Sequence, residues 1–137
     1  MTISQINATL DADINTVWRV ITDTSHYCEW RSNLERVEAE DELHFSEYSR
    51  DGYATHFTVT QSHAPYIWEF SVENSNLTGR WLGVFEELGS QTYVSFTEYV
   101  TAKKLCLRPF VKQYLKKQQS IFVSDLKKAL SITKERL

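Results

Sequence analysis

Cysteine spacings that hold metals or form disulfide frameworks are missing, since the chain has two cysteines, Cys28 and Cys106, far apart and without a CxxC. Neither a disulfide framework nor a zinc site is signalled. Both thiols are expected to be reduced, and Cys28 to fill space as a small buried hydrophobe, the usual state of a free cysteine. A reactive thiol needs an electropositive setting. Histidine is thin too: His26, His44, His56 and His63 offer no pair at helical ligand spacing and no evident acid partner. No metal is therefore expected. There is no GxSxG elbow, and His26, two residues from Cys28, is not pointed at that thiol by spacing alone. No apolar run approaches the roughly 20 residues that cross a bilayer. The segment 1–13 has Asp11 and Asp13, no basic start and no unbroken apolar centre, so it does not read as a signal peptide. The expectation is a cytoplasmic protein. Only four glycines and two prolines occur, and no linker, repeat or low-complexity segment interrupts the chain.

What is present suits one globular domain covering residues 1–137. Hydrophobic residues make up 42% and charged residues 24%, and 137 residues can bury a core without staples. The net charge of −3 hides an asymmetry: residues 1–100 hold five basic and sixteen acidic residues, residues 101–137 ten and two. An acidic body with a basic end follows. The basic residues lie among helical apolar positions and not between exposed aromatics, which argues against nucleic acid. They either neutralise the acidic body or attract an anionic head group or membrane surface.

Periodicity sets out the elements. "TISQINATL" alternates, with Ser4, Ile6, Ala8 and Leu10 as the more apolar face of a strand. "DADINTVWRVITD" follows with an Asp start and Ile14, Val17, Trp18 and Ile21 at helical spacing, a short amphipathic helix packed through Trp18 and Ile21. From Leu34 to Thr101 the period is two, broken at 39–42, 50–52, 63–65, 73–76 and 87–90, which predicts six strands in an antiparallel meander. In "YIWEFSVE" Tyr66, Trp68, Phe70 and Val72 share one face and Glu69, Ser71 and Glu73 the other. Gly79 and Gly83 suggest a bulge or bend in the next strand. Thr92, Val94, Phe96, Glu98 and Val100 form the inner set of the last strand, which puts an acid on a covered face. A single helix from about Pro109, at a first-turn position, to Arg136 ends the chain, its stripe running through Val111, Tyr114, Leu115, Ile121, Phe122, Leu126, Ala129 and Leu130.

This order of elements, with "ATLDADINTVWRVITDTSHYCEW" at 8–30 and "LERVE" at 34–38, resembles the helix-grip, START-like superfamily, also called SRPBCC or polyketide cyclase/dehydrase and lipid transport. The resemblance implies an α+β fold: a curved antiparallel sheet of about seven strands wrapped around a long C-terminal helix, with a short helical segment after the first strand. It also implies a cavity between them for an apolar or amphipathic molecule, lipid-like or polyketide-like. Members include carriers, cyclases and activators of a chaperone ATPase, so the fold leaves three readings: ligand binding, cyclase/dehydratase chemistry, or a protein-interaction module.

Trp68, Phe70, Trp81, Phe85, Phe96, Tyr114, Gln118 and Phe122 are the candidate ligand-binding residues, with Glu98 as polar anchor. Rigid rings suit pocket walls, and equally an ordinary packed core. Glu98 is the one candidate catalytic group, a general base that would work beside Gln118, Tyr114 and either Tyr53 or Gln61. The alternative is that Glu98 pairs with an arginine such as Arg80 or reaches water, because a one-residue slip of register turns it outward. No cofactor is called for, and binding without chemistry is favoured. Tyr27 and Trp30 are expected to pack the corner between first helix and sheet.

Overall fold

The computed structural model describes residues 1–135. Seven strands form one antiparallel sheet: β1 (Thr2–Leu10), β2 (Arg36–Ala39), β3 (His44–Tyr48), β4 (Ala54–His63), β5 (Ile67–Glu73), β6 (Leu77–Leu88) and β7 (Gln91–Ala102). Their order is β1-β7-β6-β5-β4-β3-β2. The six predicted strands thus form a continuous meander, and β1 joins it by pairing with the last strand. Two helices complete the fold, α1 (Ile14–Thr22) and α2 (Val111–Glu135), with single 3-10 segments at Thr24–Glu29 and Leu105–Phe110.

Helix α1 starts where the sequence says it should. The Asp13 carboxylate accepts from the Thr16 backbone N–H at 3.2 Å and from its hydroxyl at 2.5 Å. That satisfies an otherwise unpaired first-turn donor, and the same bonds keep the Asp13 pKa below the usual value. Ile14, Val17 and Ile21 are buried, while Trp18 is half-buried with its ring edge-on to Phe85, 5.3 Å between centroids.

The next turn places Cys28 on the outside. In a 3-10 helix residues three apart eclipse, so Tyr27 and Trp30 turn the same way and meet edge-on at 5.4 Å. Tyr27 is buried and donates to the Ile21 carbonyl. Cys28, one position further, is turned outward and is exposed, as is Cys106. The expectation of a buried Cys28 is corrected by the turn geometry. His26 is exposed and directed to Asp23 at 2.7 Å, with Glu29 at 3.8 Å, and not to the thiol.

Two further expectations change in the sheet and in the last helix. Strand β6 pairs without interruption with both neighbours, so its glycines mark no bulge. Gly83 instead vacates space for a ring: a Cβ there would lie 2.6 and 2.7 Å from Cη2 and Cζ3 of Trp81. A Cβ on Gly79 would collide with the Tyr99 carbonyl oxygen. The bulge lies in β4, between Val59 and Gln61. Pro109 lies in the 3-10 segment ahead of α2, which itself begins at Val111. The expected helix end at Arg136 falls outside the described residues.

Helix α2 covers the concave face. Val123, Leu126 and Leu130 are buried with Leu10, Phe96, Val94 and Phe85 from the sheet and Val17 and Ile21 from α1, while Leu115 and Val111 are buried in a second cluster with Val100 and Ala102 of β7. No helix among the described residues is long and apolar enough to cross a membrane.

Candidate functional site

Cross-strand register lines up the site as a row over the concave face. Ser4 of β1 stands opposite Glu98 of β7, Glu98 opposite Trp81 of β6, Trp81 opposite Phe70 of β5, and Phe70 opposite Val59 of β4. Polar groups thus occupy one end of the row and rings the other. Trp81 and Phe70 stack at 5.0 Å with a 4° interplanar angle, and Trp81 lies 4.9 Å from Phe96. Above them Phe122 of α2 meets Phe96 edge-on at 5.6 Å and Trp81 at 6.3 Å. Rings in edge-to-face and offset contact at these distances are rigid walls.

Between this row and α2 lies a cavity of about 160 Å³. Trp68, Phe70, Trp81, Phe96, Glu98, Tyr114, Gln118 and Phe122 all line it. Phe85 does not: it is buried behind the wall between Trp18 and Phe96, at 5.3 and 6.1 Å. Its side of the sheet was read correctly, but it lies too far along β6. Tyr114 is half exposed, at 51%, so the stripe of α2 opens there to solvent. Val72, Leu77 and Val100 line the cavity near the same ends of their strands.

Glu98 faces inward, as its alternation in β7 predicts. Arg80, the partner suggested for an outward Glu98, lies on the other face, 3.5 Å from Glu69 and over the Tyr99 ring at 4.3 Å. Gln61 is on that outer face too, where its amide approaches Glu69 at 3.5 Å. Without the bulge Gln61 would share the face of Val59; the extra residue reverses the alternation. Tyr53 hydrogen-bonds Ser75 at 2.7 Å and does not line the cavity.

The polar end contains residues that sequence reasoning missed. Arg31, just after the 3-10 turn, lies 3.3 Å from Glu47 of β3, and their side chains are only 11% and 13% exposed. Its guanidinium sits over the rings of Tyr27 and Phe122, 5.2 and 5.0 Å from their centroids, and its buried Nε has no hydrogen-bond partner among the described residues. Gln119 is also buried, accepting from the Ser4 hydroxyl at 2.9 Å and donating to the Ser4 carbonyl at 2.9 Å. Signals for two of these existed: Glu47 alternates with Phe45 in β3, and Gln119 falls four residues after Leu115 and three before Phe122. Nothing local marked Arg31.

Arg31 is held in place by its neighbours. The backbone N–H and hydroxyl of Ser32 donate to Asp125 of α2 at 2.8 and 2.9 Å, and the Asn33 amide donates to Gln118 at 2.8 Å. The loop is therefore tied to α2 at two points, Gln118 and Asp125.

Burial governs the ionisation here. Desolvation pushes the Glu98 carboxyl up to about 7, against smaller opposing effects of the Gln119 hydrogen bond and the Arg31 charge, while Glu47 adds to the rise. Burial, then the Glu98 charge, raises the Tyr114 phenol. A carboxyl poised near neutrality beside a cavity can hold or give a proton at pH 7. Among the described residues no group of three or more His, Cys, Asp or Glu could hold a metal ion.

The architecture has close counterparts. A START superfamily protein from Mycobacterium smegmatis superposes with a TM-score of 0.86 at 11% identity, covering 96% of this chain and 98% of that one. The chain has the START-like helix-grip fold. A conserved protein from Geobacillus kaustophilus matches at a TM-score of 0.84 and 14% identity, covering 96% and 97% of the two chains. Truncated norcoclaurine synthase from Thalictrum flavum matches this chain at a TM-score of 0.77 and 7% identity, covering 94% and 92% of the two chains. No family model matches the sequence, and no curated protein matches it. At such identities the likeness concerns the fold.

Proposed function

We propose that this START-like chain acts as one domain, in the cytoplasm, that binds or carries an apolar or amphipathic small molecule in the cavity under α2. One observation carries the reading: rings from β4, β5, β6 and β7 and from α2 enclose space instead of filling it, and the Glu98 carboxyl faces that space without an ion pair among the described residues. The size narrows the ligand. An engineered cavity of about 150 Å³ takes benzene, so 160 Å³ suits the body of a one-ring molecule. A longer lipid-like or polyketide-like chain would have to extend past Tyr114 into solvent. Native mass spectrometry of gently purified protein should show a bound small molecule. If none is bound and ring-sized probes leave the Trp68 and Trp81 fluorescence unchanged, the binding reading is wrong.

A second reading, a cyclase or dehydratase in the same cavity, is favoured by the poised Glu98 carboxyl. With a turnover substrate in hand, Glu98→Gln should abolish activity, and an unchanged rate removes this residue from the mechanism.

The basic end of the chain supports peripheral membrane contact at the cavity mouth. Of the basic side chains from Lys103 to Lys117, Lys103 alone pairs with a carboxylate among the described residues, Glu73 at 3.8 Å. The others act on the acidic sheet, if at all, through charge at longer range and are open to an anionic partner. Leu105 and Phe110 are exposed among them, an arrangement that suits an anionic surface.

A further inference from the structure

We infer that the cavity selects a protonated amine carried on an apolar body of about one ring, with the ammonium group against Glu98. The inference rests on the ligand-binding reading above and adds the chemical class of the ligand.

The charge inventory of the cavity carries it. Two carboxylates, Glu47 and Glu98, and one guanidinium, Arg31, line the space. Arg31 is committed to Glu47 at 3.3 Å, to Asn33 at 3.5 Å and to two ring faces. Glu98 makes no ion pair among the described residues. From other elements it is faced by uncharged Gln119 and Tyr114 of α2 and Ser4 of β1 across the ladder, and it feels the opposed charges of the Arg31 and Glu47 pair. Gln118 is engaged by Asn33, and Tyr53 lies outside the lining.

Each alternative head group fares worse. A carboxylate or phosphate would bring a third negative charge to a single, already engaged guanidinium. A hydroxyl would hydrogen-bond to Glu98 but, above pH 7, leave its carboxylate charge unbalanced. An ammonium group completes a second ion pair, and the rings of Trp81, Phe96 and Phe122 beside it wall in an apolar body.

The arrangement also predicts a proton. At rest below pH 7 burial keeps Glu98 protonated; an ammonium ligand favours the carboxylate, so binding expels that proton. Amine affinity should therefore rise roughly tenfold from pH 6 to pH 8.

The test is isothermal titration calorimetry with 2-phenylethylamine, 2-phenylethanol and 3-phenylpropionate, which keep one ring and change the head group, at pH 6 and pH 8. The amine should bind most tightly, gain about tenfold at pH 8 and release a proton at pH 6, read from two buffers of different ionisation heat. Glu98→Gln should remove its advantage over the alcohol. If the alcohol or the acid matches the amine at pH 8, or if the amine keeps its advantage in Glu98→Gln, the amine assignment is overturned while ligand binding stands. If none of the three binds protein that is folded by circular dichroism, both readings fall together.

Discussion

Replacing Glu98 by glutamine should stabilise the protein, and only at the pH where its carboxyl would ionise. In the unfolded chain a glutamate titrates near 4.5, and in the fold burial raises Glu98 to about 7. The native state therefore binds more protons than the unfolded state between these two values, and stability falls as pH rises through that window. Below 4.5 both states are protonated and the group contributes nothing adverse; above 7 the full difference is felt. At about 1.4 kcal/mol per pKa unit the penalty is about 3 kcal/mol. For a domain of this size it corresponds to roughly 10 °C in Tm. Thermal melts of wild type and Glu98→Gln across pH 4 to 8.5 should coincide at the acid end and diverge above pH 5, the variant melting higher by up to that amount at pH 8. A variant that is less stable at pH 8, or offset equally at every pH, would show that this carboxyl is not desolvated and that the inner face of β7 is wrongly assigned.

Two further outcomes follow from packing. Gly83→Val places atoms inside the Trp81 ring, and overpacking of this kind destabilises by about 1–3 kcal/mol; a urea midpoint equal to wild type would mean that the ring does not lie over Gly83. Cys28 and Cys106 should both react with a thiol reagent in the native protein at rates near those of an unfolded control, since both are exposed; protection of Cys28 would restore the buried placement that the 3-10 turn contradicts.

Alternation in β7 made Glu98 legible because inner and outer residues of a half-covered strand differ in polarity, and a slip of one residue would have put Phe96 in water. The same rule placed Trp68, Phe70 and Trp81. It failed for Gln61, because a bulge reverses the alternation without leaving a residue type that marks it. Helical spacing likewise placed Tyr114, Gln118 and Phe122 on the covered side of α2, but not the depth of each. Tyr114 is at the mouth while Gln119, one position from the residue singled out, is buried on Ser4.

By itself, the sequence determined the number, type and order of the elements, the acidic body and basic end, and the faces of most strands. All of these are written in residues close together along the chain, through periods of 2 and 3.6 and through turn chemistry. Only the tertiary structure decided that the rings leave a space, and that Arg31 and Glu47 pair at its polar end while Glu98 makes no ion pair among the described residues. Those are relations between residues distant in sequence. An ion pair between residue 31 and residue 47 exists only after β3 and the loop are brought together, and a cavity is a property of what no side chain fills.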